Sequence, residues 1–360
     1  MSDAIIRAGI RNSNLILQIP KHILVIRFSS MGDVAMTVPV MKNVLQQNPG
    51  LQITVVSNAF LQPLFAGLER CHFYPAFLKE HHAGVTGIFR LFKELNRLAA
   101  FDAIVDLHSV LRSNLLTALF KLKGFKTAAI DKGRKEKKAL TRKVHKVFNQ
   151  LTPTHERYAI VFRKIGISVL LNDSEAVYQR KRIPPALLSL FSSGKKIIGV
   201  APFAQYPEKM YPIGKMKVVV EQLAAANNNI LLFGGGRQES AVLQQWEQDI
   251  FSVFNIAGRY SFEDELAIIS NIDCMVSMDS ANMHLASLFK VPVVSVWGAT
   301  HPFAGFYGWA QDEKNIVQLG LYCRPCSVFG NKPCYRGDHA CMNWIEEEVI
   351  VNKITHQPED

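Results

Sequence analysis

The sequence contains no uninterrupted apolar run of the roughly eighteen residues that a membrane-spanning helix needs, although 48% of its 360 residues are hydrophobic. Its glycine triplet, Gly234-Gly235-Gly236, is not a G-x-G-x-x-G fingerprint and sits mid-chain, which argues against a dinucleotide-dependent dehydrogenase. No internal repeat or low-complexity tract stands out. Acids are scarce beside bases, 30 against 41, for a net charge of +11. Cysteines number six, four of them crowded between residues 323 and 341. The first residues, "MSDAIIRAGIRNSNLILQIPKH", have scattered charge and no small-residue cleavage site after a clean apolar core. That pattern is unlike a signal peptide, and the expected compartment is the cytoplasm.

Short apolar runs recur with helical stretches between them. The expected strands are residues 22–28, 52–57, 103–107 and 127–130, then 196–201, 229–233, 274–277 and 291–297. Strands alternating with helices of ten to fifteen residues argue for parallel βαβ units. At 360 residues the chain exceeds one ordinary core, so two domains are expected. "RIPPALLSLFSSGKK", residues 182–196, has the Pro, Ser, Gly and charge of a linker. The expected architecture is α/β, with two Rossmann-like halves meeting near residue 180.

Candidate chemistry falls at strand ends, where open α/β sheets bind ligands. "ILVIRFSSMGDVAMTVP" leaves a strand through Ser29-Ser30 and places Asp33 at the start of a helix, where capping is its ordinary use. Pro39 fits that helical run only in a first turn. "LLFGGGRQES" presents backbone N–H groups to a phosphate or ribose, or makes a simple tight turn. "VSMDSANMHLASLF" ends a strand at Asp279 and starts a helix at Ser280-Ala281, with His284 one turn in. That suits a pyrophosphate, or plain capping and a core histidine. Lys209, in "APFAQYPEKMYPIGKM", is a point charge for a phosphate or an ordinary surface lysine.

In this order, and with "FDAIVDLHSVLRSNLL", "HERYAIVFRKIGI" and "WGATHPFAGFYGW", these segments resemble family 9 glycosyltransferases, the lipopolysaccharide heptosyltransferases. The likeness runs from about residue 22 to residue 352. It implies a GT-B architecture: residues 1–180 as the acceptor domain and residues 181–360 as the nucleotide-sugar domain. It implies inverting, metal-independent transfer from an ADP-sugar such as ADP-heptose to lipopolysaccharide core or another envelope glycan. Asp33 then becomes the catalytic base. Lys209, Glu239, Asp279, Ser280, Ala281, Met283 and His284 hold the donor, and Gly32, Arg112 and Ser113 meet the acceptor. Ala281 stands where the family often has glycine, so a loop of different shape is expected there. Competing readings are a sugar-nucleotide epimerase of the same shape and a basic nucleic-acid-binding protein.

Between Lys121 and Lys146 the chain carries eleven Lys or Arg against Asp131 and Glu136. This is either a solvated, partly disordered loop or a dock for an anionic partner, such as lipid A phosphates or the anionic inner membrane. Phe125 is the only aromatic residue within it, so no stacking platform for nucleic acid is evident. Cys323-x2-Cys326-x7-Cys334-x6-Cys341 has spacing that suits a tetrahedral structural zinc site, with disulfides or unbridged thiols as alternatives.

Overall fold

The computed structural model describes residues 20–355, so the segment read for a signal peptide lies outside the described residues up to residue 19. Strands β1 (His22–Ile26), β2 (Gln52–Asn58), β3 (Cys71–Ala76), β4 (Ala103–Asp106) and β5 (Lys126–Ala129) form one sheet, ordered β3-β2-β1-β4-β5. A second sheet holds β6 (Ile197–Ala201), β7 (Asn229–Leu232), β8 (Val253–Asn255), β9 (Cys274–Met278), β10 (Val293–Val296) and β11 (Ile316–Val317). Its order is β11-β10-β9-β6-β7-β8. Every pairing is parallel.

The central strands are apolar on both faces because helices cover both sides. Leu24, Val25 and Ile26 of β1, and Val200 of β6, are fully buried. All eight expected strands form. The linker segment holds only short helical turns, Pro185–Leu187 and Leu188–Phe191, before β6. The first helical run divides at Met36 into Met31–Ala35 and Thr37–Gln47, and Pro39 does fall in a first turn. The basic segment is no loose loop: it builds β5 and the helix Arg134–Leu140, with Lys137 only 6% exposed.

In each sheet the chain reverses its winding between two central strands, β1 and β4 in the first, β6 and β9 in the second. Crevices open at the carboxyl ends of such pairs. The two crevices face each other, because helix Met31–Ala35 after β1 packs on helix Ala281–Ser287 after β9. Gly32 makes that packing possible. A Cβ there would lie 2.9 Å from the His284 ring and 3.3 Å from the Ala281 Cα. Backbone bonds brace the junction farther along: Leu151 N–H donates to the Phe303 carbonyl (3.0 Å) and Thr154 N–H to the Gly305 carbonyl (2.8 Å).

Gly32→Val should therefore overpack the contact between the halves while leaving each sheet intact. A loss of about 1–3 kcal/mol is expected, read as an earlier denaturant midpoint with unchanged far-ultraviolet circular dichroism.

Candidate active site

Two cavities meet in the cleft. The first, about 380 Å3, is lined from the second half by Lys209, Gly234, Glu239, Asp279, Ser280 and His284, and from the first half by Gly32 and Asp33. The second, about 420 Å3, lies on the side of the first sheet, among Arg27, His108, Lys132, Lys137, Lys138 and Arg157. Asp33 lines both, as do Ser30, Phe306, Val328 and Phe329. The carboxylate questioned from sequence stands where the two spaces join.

Asp33 is held from three sides. Arg27 Nη2 lies 2.5 Å from its Oδ2, and the Ser30 hydroxyl donates to the same oxygen at 2.9 Å. The Tyr158 hydroxyl donates to the Asp33 main-chain carbonyl at 3.3 Å. Burial alone would push the Asp33 carboxyl up, but the Arg27 charge and the Ser30 hydrogen bond outweigh it and hold the pKa below the usual carboxylate range. Its side chain is still 30% exposed, so one edge remains open to the cleft. Arg27 is fixed in turn by donating Nη1 to the Leu107 carbonyl at 2.7 Å, at the end of β4.

On the second-half side, Lys209 closes the short helical turn Pro207–Lys209 after β6 and reaches Asp279 Oδ2 at 2.9 Å. Glu239 takes the Gly235 N–H on one oxygen (Oε2, 2.7 Å), which leaves its other oxygen for a ligand. Ser280 precedes the helix that carries His284, and Ala281 has no positive φ, so the absent glycine imposes no strain. His284 is 6% exposed, and burial lowers its pKa to about 4, so it is neutral near pH 7 and has a hydrogen bond rather than a charge to offer. Its Nδ1 finds no partner among the described residues, nor do Arg27 Nε and the Thr154 hydroxyl beside the second cavity. Buried polar atoms are normally bonded, so unpartnered ones on residues that border the two cavities are a reason to look for a ligand there.

Two groups of sequence expectations need correction. Met283 does not line the cleft: it is fully buried in the core. Two positions along a helix turn a side chain to the far side, so Ala281, His284 and Leu285 face the cavity and Met283 faces away. Arg112 and Ser113 line neither cavity of the cleft. Arg112 points to solvent, and the buried Ser113 hydroxyl bonds Val110 N–H (3.0 Å) and carbonyl (3.1 Å) at its helix start. Gly32 lines the first cavity rather than the second.

The sequence reading missed Arg27, Tyr158 and Glu265, and held Lys137 only as one charge of the Lys121–Lys146 segment. Lys137 sits 3.9 Å over the Phe306 ring, and burial with Arg157 nearby lowers its pKa to about 8. Burial raises Glu265, on the first cavity, to about 7. Only Arg27, a charge inside an apolar strand-end run, left a local signal.

Two facing parallel α/β units around this cleft are the GT-B architecture. The chain belongs to glycosyltransferase family 9 (heptosyltransferase), whose model matches residues 88–333. Membership favours sugar transfer over the epimerase and nucleic-acid readings. Asp33 lies ahead of the matched stretch. A curated relative, "Lipooligosaccharide heptosyltransferase 2" of Campylobacter jejuni, is 22% identical over 195 residues, 53% of this chain and 59% of that protein. The chain thus spans a little under two thirds of that relative's length. In fold, it is similar to a family 9 glycosyltransferase from Veillonella parvula, with TM-score 0.71 at 18% identity, covering 93% and 96% of the two chains. It is also similar to E. coli heptosyltransferase WaaC with ADP, with TM-score 0.67 at 17% identity, covering 93% and 99%.

Four buried histidines make stability pH-dependent in one direction. Burial lowers His284 and His301 to about 4, and His108 and His155 to about 3, against an ordinary 6.5. As pH falls below 6.5 the unfolded chain takes up these protons first, so the folded state loses up to about 1.4 kcal/mol per pH unit for each. Glu265 opposes this, because its folded form is protonated first. Thermal melts should show a net fall in Tm between pH 6.5 and 4.5; a flat profile would contradict the buried neutral histidines.

Proposed function

We propose that this glycosyltransferase moves a heptose, or a closely related sugar, from an ADP-sugar to a hydroxyl of lipopolysaccharide core or a related envelope glycan, with inversion. The reading is carried by one observation: Asp33 lines both cavities, between a crevice whose lining suits a diphosphate and a basic one. The likeness to a lipooligosaccharide heptosyltransferase and the shared fold with WaaC, a heptosyltransferase solved with ADP, agree with it.

The acceptor hydroxyl would enter from the basic cavity and attack the anomeric carbon opposite the departing ADP. Asp33, ionised at neutral pH, accepts its proton and faces the positive charge that develops in an oxocarbenium-like transition state. Lys209, the Ser280–Ala281 backbone and the orphaned His284 nitrogen face the leaving diphosphate. That countercharge is the basis for reading transfer as metal-independent. The free oxygen of Glu239 suits a ribose hydroxyl. We place the acceptor domain at residues 1–180 and the nucleotide-sugar domain at residues 181–360.

Lys132, Arg134, Lys137, Lys138 and Arg157 surround the acceptor-side cavity, so an acceptor bearing carboxylates or phosphates fits it. Lys121, Lys123, Lys135 and Arg142 of the same segment point outward and suit an anionic bilayer. No helix among the described residues is long and apolar enough to cross a membrane. We place the enzyme on the cytoplasmic face of the inner membrane as a peripheral protein.

Acceptor-dependent ADP release, measured with ADP-heptose and core oligosaccharide, tests the proposal. Asp33→Asn should lower kcat by about 10²–10⁴-fold with ADP binding unchanged; full activity in the variant would remove Asp33 as base. Release that ignores the acceptor would sink transfer itself. Replacing Lys137 and Lys138 together by glutamate should raise the acceptor KM, weaken its salt dependence and spare donor KM.

A further inference from the structure

Outside the cleft, the four C-terminal cysteines do not gather around one point: no three of their sulfurs lie within 4.8 Å of one another. The surface that stands out is the outer face of the first half. Helices Gly84–Leu98 and Leu111–Leu122 pack side by side, with the Phe92 and Phe120 rings edge to face at 4.8 Å. Their inward residues, Leu91 and Phe120 among them, share one buried cluster with Leu24 and Ile26 of β1. Nothing further is needed to hold them on the sheet.

The outward face is apolar as well. From Leu111, the positions four, seven and eleven residues on fall within one stripe of a helix, and they are Leu115, Ala118 and Leu122. Leu111 is 89% exposed and Leu122 86%, with Ala118 exposed and Leu115 half-buried between them. On the neighbouring helix Val85 and Phe89, one turn apart, are exposed too. A single exposed leucine is ordinary, but apolar residues grouped over two adjoining helices mark a contact surface.

The charges around this patch are almost all of one sign. The two helices and the residue after the second carry Arg90, Lys93, Arg97, Arg112, Lys121 and Lys123, all exposed, against one acid, Glu94. Glu94 is already engaged by the Tyr74 hydroxyl and His82 Nε2, at 2.8 Å each. A second copy of this chain would bring like charges together across the patch, which disfavours self-association. An anionic bilayer supplies both partners, phosphate headgroups for the cations and acyl chains for the leucines.

We infer that helices Gly84–Leu98 and Leu111–Leu122 form a docking face that lies along an anionic lipid bilayer, with Leu111, Leu122, Val85 and Phe89 entering the interface. The outward lysines noted above give such a surface charge alone; the apolar stripe gives it depth. Salt separates the two contributions, because screening weakens the headgroup contacts and leaves the apolar burial. The position of the face also bears on the cleft. Leu111 opens its helix only three residues after His108, which lines the second cavity. Docking therefore holds that cavity close to the lipid surface, where an acceptor anchored in the bilayer would be presented. Only this last step rests on the proposed function.

Flotation of the full chain with lipid vesicles, in the absence of donor and acceptor, is the test. Phosphatidylcholine vesicles containing phosphatidylglycerol should carry the wild type, and pure phosphatidylcholine should not. Leu111→Ser combined with Leu122→Ser should lower partitioning about tenfold, with thermal melt and ADP release on delipidated core oligosaccharide unchanged. Phe251→Ser removes an aromatic ring that is 90% exposed on the second half, and it should float as the wild type does. Lys121→Glu with Lys123→Glu should weaken flotation at low salt and matter less at high salt. A wild type that stays off anionic vesicles would overturn the docking face, as would full flotation of the double serine variant. A dimer in sedimentation velocity that dissociates in that variant, without flotation, would assign the face to a second copy instead. ADP release reports on the transfer reading alone: flotation without acceptor-dependent release would count against that reading and leave this one standing.

Discussion

The bare backbone of Gly32 against His284 sets the geometry on which the cleft depends. One sheet carries the carboxylate and the other the groups suited to a diphosphate, so neither half completes a site. Their facing helices must approach until almost no side chain fits between them, and a Cβ at residue 32 would already stand 2.9 Å from the imidazole. That closeness brings Asp33, one residue on, into a cavity lined mostly by the second half. It also seals His284 from water, which keeps the ring neutral and its Nδ1 unpartnered.

Electrostatics then give the two cavities different tasks. The second cavity gathers lysines and arginines until they repel one another, so that Lys137 and Lys132 both have lowered pKa values, burial first and neighbouring cations second. Such crowding is tolerable where an anion relieves it. The first cavity holds fewer cations: one lysine paired to Asp279, beside a neutral histidine. Asp33 is the carboxylate shared between the two.

The central strands were legible because parallel strands covered on both faces read as continuous apolar runs, as in Leu24–Ile26 or Val200–Ala201. The three strands not foreseen lie at sheet edges. β3 contains His72 and Pro75 and is half exposed, β8 has three residues and β11 two, so none offers a run to see. Site residues followed the same division. Asp33, Lys209, Glu239, Asp279, Ser280, Ala281 and His284 sit just past strand ends and all line the first cavity. Tyr158 and Arg157 arrive from a helix more than a hundred residues downstream of Asp33, and no local pattern announces that convergence. Met283 was misplaced because adjacency in sequence is not adjacency on a helix face.

A base held below the usual carboxylate range by an arginine looks ill chosen, because a stronger base would pull harder on the acceptor hydroxyl. The timing of charge in the proposed reaction resolves this. An alcohol becomes acidic only as its oxygen bonds to an oxocarbenium-like carbon, so the proton leaves late and a weak base suffices. What must exist earlier is a negative charge, ionised at every physiological pH and fixed in direction, facing the carbon as it turns positive. Arg27 fixes that direction through its 2.5 Å contact while it anchors itself to the Leu107 carbonyl, across the crevice between β1 and β4. The Nε of the same guanidinium is buried without a partner among the described residues. In the proposed reaction this one buried cation orients the base, so the first sheet's switch point, and not the loop alone, would set the chemistry.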